Sequence, residues 1–140
     1  MKILIAADGS PYTGRMLAYL AEHDGWLGAR HAYTVIHCVA AVPHRAAAFL
    51  GLDQVHAYYE DDAQTVLRPI RAFFATQGIK ARFVWRIGPA AANIARLAER
   101  GHFDLLLMGT HGRGAAAGLV MGSVATRVLS LCSTPVLLVR

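Results

Sequence analysis

Five of the 13 glycines fall close together late in the chain: Gly109, Gly112, Gly114, Gly118 and Gly122, the last followed by Ser123. The spacing is Gly-x2-Gly-x9-Gly-Ser. An apolar run (Leu105, Leu106, Leu107, Met108) precedes it, and an apolar-periodic run through Val124 and Val128 follows. This reads as a buried strand, a glycine loop and a helix start. Glycines let backbone N–H groups turn toward an anion with no Cβ in the way. A helix start adds unpaired N–H groups and the positive end of the dipole. The chemistry predicted here is phosphate binding. Gly112-x-Gly114-x-x-Ala117 also fits a dinucleotide fingerprint. It follows the fourth predicted strand, however, and lacks an acidic residue about 20 positions later. No Lys-Ser or Lys-Thr follows the glycines, which excludes a Walker A loop.

Few side chains join the glycines as chemical candidates. Asp8 is the only carboxylate at the carboxyl end of a predicted strand. It reads either as a turn residue, worth a fraction of a kcal/mol near a helix dipole, or as a partner for a ribose hydroxyl or Mg²⁺. Ser123 reads as a helix cap or a phosphate contact, and Arg113 as a solvated loop residue or a phosphate contact. His111 invites the role of general base, but no nucleophile or acid partner falls beside it, so local packing is expected. The remaining histidines have no ligand spacing. Cys38 and Cys132 sit inside apolar segments and read as small buried hydrophobes. No Cys-x-x-Cys occurs, which argues against a zinc or thioredoxin-like site.

The elements that must hold these residues are legible from the apolar pattern. Residues 2–7 form an apolar run, then a turn in which Ser10 suits an N-cap and Pro11 the first helical position. Met16, Leu17, Leu20 and Ala21 make a helical stripe ending near Gly25. Strand two is expected within residues 31–41, ending before Pro43. Residues 44–51 show no clear period and read as a loop or as part loop, part helix. Val55, Tyr59, Val66, Leu67, Ile70 and Phe74 predict a long helix, kinked at Pro69 and stopped at Gly78. Residues 80–87 predict strand three. Gly88-Pro89 opens a helix with Ile94, Leu97 and Ala98 inward and Gly101 as its stop. Strands four and five are expected at 104–108 and 135–139, around a helix at 122–131.

Strict alternation predicts an α/β fold: an open, doubly wound, parallel five-stranded sheet of order 3-2-1-4-5 with helices on both faces. Ligands of such sheets bind beyond the strand carboxyl ends where the strand order reverses, here between strands one and four. The 140 residues suit one domain, 1–140. Apolar residues make up 55% and mean hydropathy is +0.36, fitting a sheet buried on both faces. No apolar run approaches the roughly 20 residues that span a bilayer. The opening run is a strand and not a signal peptide, so a cytoplasmic protein without a membrane anchor is expected. A net charge of +5, from scattered arginines, suits small anionic ligands. It argues against nucleic acid, which asks for a basic patch.

Four features in this order resemble the universal stress protein family, in its ATP-binding branch: Asp8-Gly9-Ser10 after strand one, Gly88-Pro89 after strand three, the glycine loop, and the closing Pro135-Val136-Leu137-Leu138-Val139. The resemblance runs through the whole chain and implies a Rossmann-like, ATP- and Mg²⁺-binding regulatory module with little or no catalysis beyond slow hydrolysis. It implies nucleotide contacts at Ala6, Asp8, Ser10, Cys38, Met108, Gly109, His111, Gly112, Arg113, Gly122, Ser123 and Val124. Asp8 is the candidate for Mg²⁺. The family often has Val where Cys38 stands, a departure that keeps the position small and apolar. A homodimer through the last strand is also implied, as apolar edge strands invite pairing. Two alternatives stay open. One is an adenine-nucleotide hydrolase or transferase of the related α-hydrolase-like superfamily, against which Asp8-Gly9-Ser10-Pro11 argues. The other is a nucleotide-free interaction module, against which the intact glycine signature argues.

Overall fold

The computed structural model describes residues 1–114, 118 and 120–140. Ala117, the last position of the dinucleotide-like spacing, lies outside the described residues. The elements in chain order are β1 (Lys2–Ala6), α1 (Pro11–Glu22), α2 (Asp24–Leu27), β2 (Ala32–Val39), α3 (His44–Leu50), α4 (Leu52–Thr76), β3 (Ala81–Ile87), α5 (Ala90–Arg100), β4 (Leu105–Gly109), α6 (Ser123–Leu131) and β5 (Val136–Val139). The sheet has the order β3-β2-β1-β4-β5 and every pairing is parallel, as expected.

Strand alternation splits the core into two layers. Odd residues of β1 and beyond (Ile3, Ile5, Ala7) pack against Met16, Leu17 and Leu20 of α1 and Val66, Leu67, Ile70 and Phe74 of α4. Even residues (Leu4, Ala6) pack against Ile94 and Ala98 of α5 and Ala125 and Val128 of α6. Leu4, Ile5, Leu106 and Leu107 are fully buried. Each such side chain contributes about 1.5–3 kcal/mol of transfer free energy, which is why an all-apolar central strand belongs here. The register aligns Ala6 with Ile36 of β2 and Met108 of β4. The carboxyl ends of all three strands thus lie at one edge of the sheet, with β2 running on past Ile36 to Val39.

Four local details complete the architecture. The first helix stops at Glu22 and a separate turn, α2, follows. His23 is the C-cap of α1, and both its backbone amide at 3.1 Å and its ring Nδ1 at 2.8 Å engage the Tyr19 carbonyl. Residues 44–50 are helical, but α3 buries no residue, so no apolar period could mark it. α4 runs on through Pro69, which lies on its exposed face next to an exposed Thr65. Water there can serve the carbonyl that proline leaves unpaired. At the end of α5, Gly101 keeps a right-handed φ of −81° and His102 takes the left-handed turn at 49°.

Candidate functional site

The ends of β1, β2 and β4 and the start of α6 enclose a cavity of about 240 Å³. It lies at the carboxyl edge of the sheet, beside the β1–β4 neighbours where the strand order reverses. Eleven of the residues expected to form the site line it. Ala6 and Asp8 come from the end of β1, Cys38 from β2, and Met108 and Gly109 from β4. His111, Gly112 and Arg113 come from the loop, and Gly122, Ser123 and Val124 from the start of α6.

Ser10 is the exception. It is buried at 6% exposure and its hydroxyl does not line the cavity. Nor does that hydroxyl cap α1, although Ser10 occupies the N-cap position. The Asp8 carboxylate instead accepts the amide of Ser10 itself at 2.9 Å, one residue before the first turn. Asp8 is held from several sides. Its Oδ1 also accepts the Thr13 hydroxyl at 3.1 Å, and its Oδ2 accepts the Arg113 amide at 3.0 Å. Burial alone would raise its pKa; hydrogen bonds from Ser10, Thr13 and Arg113 outweigh that and hold the carboxyl below its ordinary value. Asp8 is therefore a fixed anion. Gly112 is required beside it, because a Cβ at that position would stand 2.6 Å from Asp8 Oδ2.

The opposite wall supplies donors. Gly122 is the N-cap of α6, and no side chain caps the helix among the described residues. Ser123 is therefore the first helical residue and not the cap. The Gly122 amide is spent on the Thr110 carbonyl at 2.7 Å. The first-turn amides of Ser123, Val124 and Ala125, all on the cavity wall, have no carbonyl within the helix to accept them. Arg113 sits at the mouth and donates from Nε to the Asp8 carbonyl at 2.6 Å. That contact ties the loop across to the β1–α1 turn.

The third wall is apolar. Ala6, Ile36, Cys38, Ile94 and Met108 form it. Burial pushes the Cys38 thiol up to about 11, with Arg86 pulling weakly the other way, so the side chain is a neutral, apolar surface. Both cysteines are free and only half-buried, and Cys132 lies just past the end of α6. His111 does pack locally: its Nδ1 lies 3.1 Å from the Thr110 hydroxyl and its ring 5.1 Å from that of Tyr12.

Sequence reasoning missed Thr13, His37, Ala90 and Ile94 on the cavity wall. His37 is almost fully buried; its Nδ1 donates to the Ala7 carbonyl at 2.9 Å and its Nε2 lies 3.6 Å from the Asp62 carboxylate. A histidine next to Cys38 at the end of an apolar strand was the available signal. Thr13 had a signal too, as a hydroxyl one turn into the helix that follows Asp8. Among the described residues no group of three or more His, Cys, Asp or Glu could hold a metal ion.

Comparison with known proteins gives the family and the fold. The model of the universal stress protein family matches residues 1–140. The chain belongs to that family. A universal stress protein of Thermus aquaticus is 32% identical over 143 residues, covering 99% of this chain and 97% of the relative. Universal stress proteins of Methanocaldococcus jannaschii and Synechocystis are 31% and 36% identical over 81 and 74 residues. Those stretches cover 58% and 53% of this chain and about half of each relative, 48% and 47%. Among solved structures, a Methanocaldococcus jannaschii protein superposes with a TM-score of 0.83 at 21% identity, over 99% of this chain and 94% of its own. An Archaeoglobus fulgidus universal stress protein, solved in complex with dAMP, superposes at 0.70 and 18% identity over 100% and 98%. A universal stress protein in complex with cAMP gives 0.66 and 19% over 100% and 97%. At these identities the structures show that the universal stress protein fold is shared. Among the described residues no helix is long and apolar enough to cross a membrane.

Proposed function

We propose that this universal stress protein binds ATP in the cavity at the carboxyl edge of the sheet and works as a nucleotide-dependent regulatory module. The observation that carries the reading is the joining, in one cavity of about 240 Å³, of an apolar wall with an uncapped helix start. The apolar wall around Cys38 and Met108 suits a purine base. The amides at the start of α6, with Arg113, suit phosphate oxygens. Asp8 Oδ2 accepts the Arg113 amide and keeps a lone pair for a ribose hydroxyl. Relatives of the same fold solved with dAMP and cAMP support an adenine nucleotide as ligand.

Mg²⁺ on this reading arrives on the phosphates of ATP. Asp8, with an acceptor site left on Oδ2, remains the candidate on the cavity wall to share that ion. Fast catalysis is not part of the proposal. The carboxylate lining the cavity is held as a weak base by its own donors, so phosphate release far below the roughly 1–100 s⁻¹ of phosphoryl-transfer enzymes is expected. Isothermal titration with ATP and Mg²⁺ tests the binding. Saturable heat at one site per chain is expected, and no heat at millimolar ATP would refute it.

The same reading covers assembly and place. β5 ends the sheet and carries half-buried Val136, Leu137 and Leu138, so we place a homodimer on the apolar segment 135–139. Light scattering should give twice the chain mass, and a monomer at micromolar concentration would overturn this point. Two unpaired cysteines suit a reducing cytoplasm. The whole span 1–140 is taken as one working domain.

A further inference from the structure

The hydroxyl of Thr13 is saturated. It accepts the amides of Asp8 and Gly9, each at 3.2 Å, and donates its one hydrogen to Asp8 Oδ1 at 3.1 Å. Thr13 is 6% exposed and stands at the third position of α1, where a side chain can reach back over the helix start. The three bonds do different jobs. The two accepted amides fix the turn in which Gly9 takes a φ of +76°. The donated hydrogen, with the Ser10 amide on the same oxygen, selects the Asp8 rotamer. That rotamer leaves Oδ2 against Gly112 and the Arg113 amide, on the cavity wall.

We propose that Thr13 is the positioning residue of the nucleotide site: its hydroxyl aims the Asp8 carboxylate at the cavity and at the glycine loop. Thr13 reaches the ligand through Asp8. It is the one side chain that grips both the backbone and the carboxylate of Asp8 among the bonds around the turn. The inference rests on the nucleotide reading of the cavity, and its test separates the two.

Thr13→Val keeps the shape and removes the hydroxyl; Thr13→Ser keeps the hydroxyl. Two quantities are read on each variant: ATP affinity by calorimetry, and titration of the Asp8 carboxyl carbon by NMR without ligand. Thr13→Val should bind ATP roughly ten- to hundredfold more weakly, as expected for losing a hydrogen bond to a charged group. Its Asp8 titration midpoint should move upward, because a bond favouring the charged form is gone. Thr13→Ser should restore both toward wild type. A loss of stability alone would leave the Asp8 midpoint in place. An Asp8 midpoint identical in wild type and Thr13→Val would overturn the positioning role, whatever the ligand. A shifted midpoint with unchanged ATP affinity would also overturn it, since the aim of Asp8 would then not matter to the ligand. Wild-type protein that binds no adenine nucleotide would instead overturn the reading of the cavity, with the midpoint still deciding whether Thr13 controls Asp8.

Discussion

Two strand-to-helix connections face each other across the cavity and solve the same problem in opposite ways. Residues 7–10, between β1 and α1, form a short turn whose polar groups serve one another. Thr13 takes two amides, Asp8 takes the Ser10 amide and the Thr13 hydroxyl, and Pro11 brings no N–H to the first helical position. Residues 110–122 connect β4 to α6, a helix whose start has no side-chain cap among the described residues. A helix start is a ready anion site only if its amides are left open and no anion of the protein fills the place. The α1 start fails on the second count, because an ionised Asp8 already sits there. The α6 start passes on both, with Arg113 beside it. The β1–α1 turn is the frame and the β4–α6 loop is the receptor.

The sharpest way to break that division is Gly122→Val. Its Cβ would meet the His111 Cα and the Thr110 carbonyl oxygen at 3.1 Å, both backbone atoms that must move to admit it. Gly122 has a φ of −75°, so the effect is one of space and not of handedness. The sheet core lies elsewhere, so circular dichroism should show a folded protein while ATP affinity falls below calorimetric detection. Next comes Asp8→Asn, which attacks the frame. An amide can accept with one atom only, so either the Ser10 and Thr13 donors or the Arg113 amide loses its acceptor. An unsatisfied buried donor costs about 1–3 kcal/mol. Thermal unfolding should report a loss toward the low end of that range, because Asp8 is only half-buried, and ATP binding should weaken with it.

Acid provides a milder version of the same break. Asp8 is ionised more readily folded than unfolded. Its contribution to stability is thus fully present above the ordinary carboxylate value of about 4 and is lost as pH falls through the lower, folded value. Wild type should lose stability over that window more steeply than Asp8→Asn, as followed by urea unfolding at stepped pH. The smallest effect is expected from Cys38→Val, because the thiol there is neutral and acts as apolar surface. ATP affinity should stay within about threefold, corresponding to well under 1 kcal/mol. A loss as large as that of Gly122→Val would move the decisive contacts from the loop to the apolar wall.

How much of this was legible in the sequence follows from what each residue packs against. β1 and β4 are buried on both faces, so their apolar runs were plain. α3 buries nothing, and its helix left no pattern to read. His23 ends the first helix with its amide and its ring both on the Tyr19 carbonyl, a local arrangement that apolar spacing does not encode. The glycine loop was legible because chemistry dictates residue type there: Gly112 leaves no room for a Cβ against Asp8. Ser10 and Thr13 show the limit. Serine before proline looks like a cap, and threonine in a first turn looks like filler. Only the course of the turn decides which hydroxyl ties the Asp8 carboxylate to its own backbone, and it gives that place to Thr13.

The contrast between frame and receptor is tested most directly by following backbone amide resonances while ATP and Mg²⁺ are added. The account predicts the largest shifts at Gly109, Gly112, Ser123, Val124 and Ala125, with a second set at Cys38 and Met108 for the base. Gly14 and Arg15 of α1 should move little. Shifts concentrated at the start of α1, or on β3 at the far edge of the sheet, with residues 122–125 unmoved, would contradict it.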